Sequence, residues 1–161
     1  MALKHTGHGQ DSVDLSALVL IVAGAHPKAE MFDRPRAYAL AARIDEWLRA
    51  RFQADGGGGG GASVRPLVVS DVWYLNDPSL RQCPTISIGS PGVNALSAYL
   101  GDKLPSAYVV DQSLMVQMDV ELSDLLACCW GVGHQETSIA TRVFEERYMA
   151  AFLDAACRAW V

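Results

Sequence analysis

The sequence predicts an α/β fold: a three-layer, doubly wound, mainly parallel sheet of flavodoxin- or Rossmann-like type. Three observations predict it. Residues 17–23 are an unbroken aliphatic run, Ala-Leu-Val-Leu-Ile-Val-Ala, as expected of a strand covered on both faces. Strand-like and helix-like segments then alternate along the chain. At three places a strand passes into a helix through a short turn rich in Gly, Ser or His.

The elements follow in order. Residues 1–14 carry two histidines (His5 and His8) among Gly, Ser and Asp without a hydrophobic period, and are expected to form a flexible arm. After the first strand, residues 24–31 are expected to turn the chain. Asp33 and Pro35 are expected to start a helix reaching about Phe52, with Ala37, Leu40, Ala41, Ile44, Trp47 and Leu48 as its apolar stripe. Six glycines at 56–61 predict a flexible loop within a single domain spanning 15–161.

Residues 66–73 read as a second strand, and 85–89 as a third. Ser90-Pro91 then supplies a cap and a first helical residue, with Gly101 as the stop. Residues 107–111 predict a short strand. At 114–120 apolar and polar residues alternate, which predicts an antiparallel strand at or near the sheet edge with one face wet. Residues 125–130 predict the last buried strand, followed by one helix from Thr137 to the C-terminus that buries Ala140, Val143, Phe144, Ala151 and Ala155.

Composition narrows the function. The 161 residues carry a formal net charge of −5, with 13 basic and 18 acidic side chains and no basic block, so nucleic acid is not an expected partner. The longest apolar run, 18–25, is too short to span a membrane, and the polar residues 1–16 lack the apolar core of a signal peptide. A cytoplasmic location is expected. The cysteines at 83, 128, 129 and 157 form no Cys-x-x-Cys pair. Cys128 and Cys129 are expected on opposite sheet faces as buried, reduced thiols.

Ligands of open α/β sheets bind beyond the carboxyl ends of the strands. Three loops are expected there: 23–30, 89–94 and 130–137. Their candidate ligand-binding residues are His26; Gly89, Ser90, Gly92 and Asn94; and Trp130, Gly131, Gly133, His134, Glu136 and Thr137. The 89–94 turn suits an anion at a helix start. Ser90 as a plain cap and Gly92 as a packing residue explain it as well. His26 and His134 are the candidate catalytic residues, with a backbone-bonded turn histidine as the bland alternative for His26. Asp71, Trp73, Tyr74, Asn76 and Asp77 are further rim candidates, equally explained as a loop held by its aromatics. No metal site is expected from four scattered histidines. A cysteine nucleophile is disfavoured because both candidates sit inside an apolar strand.

Residues 17–80 resemble the flavodoxin-like quinone reductases through Ala25-His26-Pro27, Phe32 and the Asp71-to-Pro78 stretch. That resemblance implies the fold. The family's flavin-phosphate Ser or Thr is replaced by Met31, and its flavin loop by Gly89-Ser90-Pro91-Gly92, so flavin is not the expected cofactor. Residues 88–94 are also similar to the strand-to-helix turn of surface-layer and cell-wall-binding modules, which are non-catalytic. The sequence favours a domain binding a small molecule of anionic or nucleotide type and leaves catalysis open. The alternatives are a structural or self-associating module, using the 114–120 strand and Trp160, and a flavin-dependent reductase.

Overall fold

The computed structural model describes residues 15–54 and 64–159, so the expected arm, the glycine run and Trp160 lie outside the described residues. Six strands form one sheet: β1 (Leu18–Ala23), β2 (Arg65–Ser70), β3 (Thr85–Ile88), β4 (Ser106–Val110), β5 (Leu114–Met118) and β6 (Leu126–Gly131). Their order is β2-β1-β3-β6-β5-β4. β2, β1, β3 and β6 are mutually parallel, while β5 runs antiparallel to both β6 and β4. The α/β class is therefore observed, with a mixed and mostly parallel sheet.

Helices α1 (Pro27–Ala54), α4 (His134–Arg147) and α5 (Met149–Ala159) pack on one face. That core joins Val19, Ile21, Ile86 and Cys129 to Leu40, Ile44, Phe144 and Phe152. Short helices α2 (Asp71–Asn76) and α3 (Ala95–Leu100) cover the other face with Leu18, Leu20, Val22 and Cys128. Cys128 and Cys129 thus do point to opposite faces, because strand side chains alternate. Each Leu or Ile buried in these cores stabilises the fold by about 1.5–3 kcal/mol.

Several expected boundaries move. α1 begins at Pro27, eight residues before Pro35, which lies inside the helix on an exposed position. The earlier start follows from Pro27 in the first turn, where no amide partner is needed. It is reinforced by His26, whose Nδ1 accepts from Lys28 N (3.1 Å) and whose carbonyl accepts from Glu30 N (3.0 Å). β2 stops at Ser70 and the next residues coil into α2, because Ser70 Oγ caps Trp73 N at 3.1 Å. α3 starts at Ala95, capped by Asn94 rather than Ser90.

The expected C-terminal helix is two, broken at Tyr148, whose backbone leaves the helical region (φ −123°, ψ −25°). α5 accordingly buries Phe152, Leu153 and Ala156; Ala151 is exposed and Ala155 half-buried.

β5 is antiparallel and lies next to the edge, as expected, but it has no wet face. It is an interior strand, with β4 as the edge. Its polar position is buried too: Gln117 Nε2 donates to the carbonyls of Gly101 (2.9 Å) and Leu104 (3.2 Å), and its Oε1 accepts from Trp130 Nε1 (2.9 Å). A satisfied amide can be buried at little net cost, so alternation here does not mean a wet face. The strand itself, 114–118, is therefore mostly buried, and within the expected 114–120 span the exposed apolar residue is Val120, beyond its end. β4 and β5 form a hairpin whose turn residues Asp111 and Gln112 have φ of 44° and 57°, the handedness that matches strand twist.

Candidate functional site

The carboxyl ends of β1, β2, β3 and β6 lie along one rim, and two carboxylates organise it. Asp71, at the end of β2, is a clasp. Its Oδ1 accepts from Ala25 N (2.9 Å) and Val72 N (2.8 Å), and its Oδ2 accepts from Ala95 N (2.8 Å). It ties the β1–α1 turn and the starts of α2 and α3 together, so this rim candidate holds the chain.

Asn94 does the same for the loop between β3 and α3. It is 1% exposed. Its Oδ1 accepts from Leu96 N (2.9 Å) and Ser97 N (3.2 Å), while its Nδ2 donates to Val22 O (3.2 Å) and Ile88 O (2.8 Å). The first amides of α3 are consequently occupied from within the chain. The anion cradle expected at 89–94 is not open.

The second carboxylate is Asp33, on the sheet-facing side of α1 in line with Ala37, Leu40, Ile44 and Leu48. Its side chain is 5% exposed, and Oδ1 accepts from Arg36 Nη1 at 2.8 Å. Arg36 reaches on through Nη2 to the carbonyl of His134 (3.0 Å), joining α1 to α4. Burial raises the Asp33 pKa, opposed by the charges of Arg36 and His134, and burial lowers that of Arg36, opposed by Asp33. Oδ2 makes no hydrogen bond among the described residues and lies beside Gly89. Gly89 has φ +118°, and a Cβ there would meet Oδ2 at 2.8 Å. Only glycine combines that backbone with that approach.

Around Asp33 a pocket of about 280 Å³ opens. Helix α1 contributes Lys28, Phe32 and Asp33, and the β3–α3 loop contributes Ser90 and Val93. The β6–α4 loop and the first turn of α4 contribute Val132, Gly133, His134 and Thr137. The Phe32 and His134 rings stack with centroids 4.1 Å apart and planes within 8°. α4 starts at Gly133 without a side-chain cap.

Of the residues expected from sequence, Ser90, Gly133, His134 and Thr137 meet in this pocket, and Gly89 adjoins it through Asp33. Gly131 and Glu136 support it from behind: Gly131 N donates to Thr137 Oγ1 (3.0 Å), and Glu136 packs against Gly131 and Gly133. Gly92 is exposed, with nothing within 4 Å of its Cβ direction. Trp130 is engaged with Gln117. Neither Trp130, Asn94 nor His26 is among the lining residues, and His26 serves the start of α1.

Lys28, Asp33 and Arg36 were missed. The available signal was a carboxylate continuing the apolar stripe of α1 toward its N-terminus, at 33, 37, 40, 44 and 48.

Cys128 and Cys129 are fully buried thiols. Burial pushes Cys128 up to about 11 and Cys129 well above the ordinary thiol value. Among the described residues no group of three or more His, Cys, Asp or Glu is placed to hold a metal, and no helix is long and apolar enough to cross a membrane. Comparison with protein-family models, with curated proteins and with solved structures gives no match.

Proposed function

We propose that the chain is a binding domain for a small polar molecule, held at the carboxyl edge of the sheet in the pocket between α1, the β3–α3 loop and the start of α4. The observation that carries this reading is Asp33. Its side chain is 5% exposed, and one oxygen accepts no hydrogen bond among the described residues, which leaves that oxygen open to a donor from the pocket. Helix α1, the β3–α3 loop and the β6–α4 loop converge on it, and sites are concave and convergent. The finer fold reading, a three-layer doubly wound domain of flavodoxin-like type, belongs to the same proposal; cores on both faces of a mostly parallel sheet support it. A reductase would need flavin at this edge, and in the sequence Met31 replaces the hydroxyl that the resembled family uses for flavin phosphate.

The test is a nuclear magnetic resonance titration with a panel of free amino acids, sugar phosphates, AMP, FMN and inorganic phosphate. At least one member is expected to shift the amides of Ser90, Gly133, His134 and Thr137, and to lose that effect in Val93→Trp, which fills the pocket. No response at these amides, or an equal response in the filled variant, overturns the proposal. A selective response to FMN alone would transfer the site to a flavoprotein.

A further inference from the structure

The pocket is polarised. On one side it presents an acceptor, Asp33, on a side chain 5% exposed, while Lys28 places an ammonium on an exposed position of the lining. Between them the lining is apolar or flat: Val93, Val132 and the Phe32–His134 stack. The remaining polar side-chain groups are the Ser90 hydroxyl, the Thr137 hydroxyl, whose oxygen already accepts from Gly131 N, and the imidazole nitrogens of His134.

Arg36 does not convert the Asp33 side into an anion site. It is not among the residues that line the pocket, and it turns one N–H toward Asp33 Oδ1 and another toward the His134 carbonyl. The Asp33 side therefore asks for a donor. Resting on the binding function proposed above, we infer that the ligand is a small amino acid or hydroxy acid with an apolar side chain. Its ammonium or hydroxyl would donate to Asp33 Oδ2, its carboxylate would face Lys28, and its side chain would lie along the Phe32–His134 wall.

The order of the two ends has a physical basis. A hydrogen bond to a buried carboxylate is stronger than one at the surface, whereas an exposed ammonium attracts an anion weakly and in a salt-dependent way. The donor end should therefore carry most of the affinity and the anionic end the orientation.

The experiment is a calorimetric and resonance titration of the whole chain with matched sets. One set is L-phenylalanine, L-phenyllactate, phenethylamine and 3-phenylpropanoate; the other is the corresponding set built on L-leucine. Both bifunctional compounds of a set are expected to bind at the Ser90, Gly133 and Thr137 amides, tighter than either single-ended analogue. Asp33→Asn should weaken them about tenfold or more. Lys28→Gln, at an exposed position where folding is not at risk, should weaken the acids about threefold and leave phenethylamine unchanged.

An acid that binds as well as its bifunctional partner, or binding that Asp33→Asn strengthens, overturns the inference by showing that the Asp33 side takes an anion. Phenethylamine binding as tightly as L-phenylalanine overturns the role of Lys28. If both sets leave those amides unmoved while AMP or inorganic phosphate shifts them, the inference falls and the binding function stands. If nothing in either panel moves them, both fall.

Discussion

Two loops leave the sheet at the same edge, each after a strand and each opening a helix, and they solve the start of that helix in opposite ways. After β3, the chain supplies its own acceptors: Asn94 Oδ1 takes two amides of α3 and Asp71 Oδ2 takes a third. After β6, α4 begins at Gly133 with no side-chain cap, beside Lys28, Phe32 and the buried Asp33. The first loop, which by residue type looks the better anion cradle, is closed and structural. The second borders open space. A helix start becomes available to a ligand only where the chain has not already used it.

The strongest way to break this comparison is at the closed loop. Gly24 sits at the end of β1, where a Cβ would fall on the Val93 backbone carbonyl. Gly24→Ala must push the whole 89–94 loop outward, because the obstacle is main chain rather than a movable side-chain tip. A loss of about 4 kcal/mol or more is expected in chemical denaturation. A loss under about 1 kcal/mol would mean that this loop is not held tightly against β1.

Asp71→Ala comes next. Three amides lose their acceptor, and those of Ala25 and Ala95 belong to exposed residues that water can partly satisfy. The expected cost is about 3 kcal/mol, read from the same denaturation curves. If the clasp is structural, the Asp71→Ala variant should still show the Phe32–His134 stack in a crystal structure.

These two residues also show where the sequence was legible. The aliphatic run of β1 and the parity of Cys128 and Cys129 could be read because each depends on local periodicity. The choice of Asn94 over Ser90 as cap could not. Both side chains are competent, and the decision is made by Asp71, distant in sequence from both Ala25 and Ala95, together with the carbonyls of Val22 and Ile88. Asp33 was hidden for a related reason. Asp followed by Pro35 carries a local helix-start signal, while its actual position on α1 follows from Pro27 eight residues before Pro35 and from the sheet edge it packs beside.

A subtler test probes Asp33 by pH. Burial, the dominant cause, raises the Asp33 pKa above its ordinary 3.8, so the folded state holds this proton more tightly than the unfolded chain does. For this group, stability is greatest below pH 3.8 and falls as pH rises through its raised folded value. Asp33→Asn removes that titration while its amide oxygen can still accept from Arg36. Subtracting the two stability–pH curves should give a difference that moves in the variant's favour from pH 3 upward and levels off once Asp33 is ionised. A flat difference would remove Asp33 as a buried titrating group. At neutral pH the two proteins should differ by only about 1 kcal/mol.

The smallest expected effect probes the open start directly. Gly133 has an extended backbone (φ −139°, ψ 178°), which any residue adopts, and a Cβ there would meet Glu136 Oε2 at 2.9 Å, the movable end of a side chain. Gly133→Ser should therefore fit, its hydroxyl oxygen accepting from a backbone amide in the first turn of α4. Because glycine is already a tolerable N-cap, the gain should be only a few tenths of a kcal/mol. A double comparison makes so small a number informative. Asn94→Gly removes a cap together with two buried donor bonds and should cost several times what Gly133→Ser returns, about 2 kcal/mol against a few tenths. If Gly133→Ser instead destabilises the protein, the start of α4 is already satisfied as α3 is. The contrast between the two loops, and the pocket's claim on the second, would fail together.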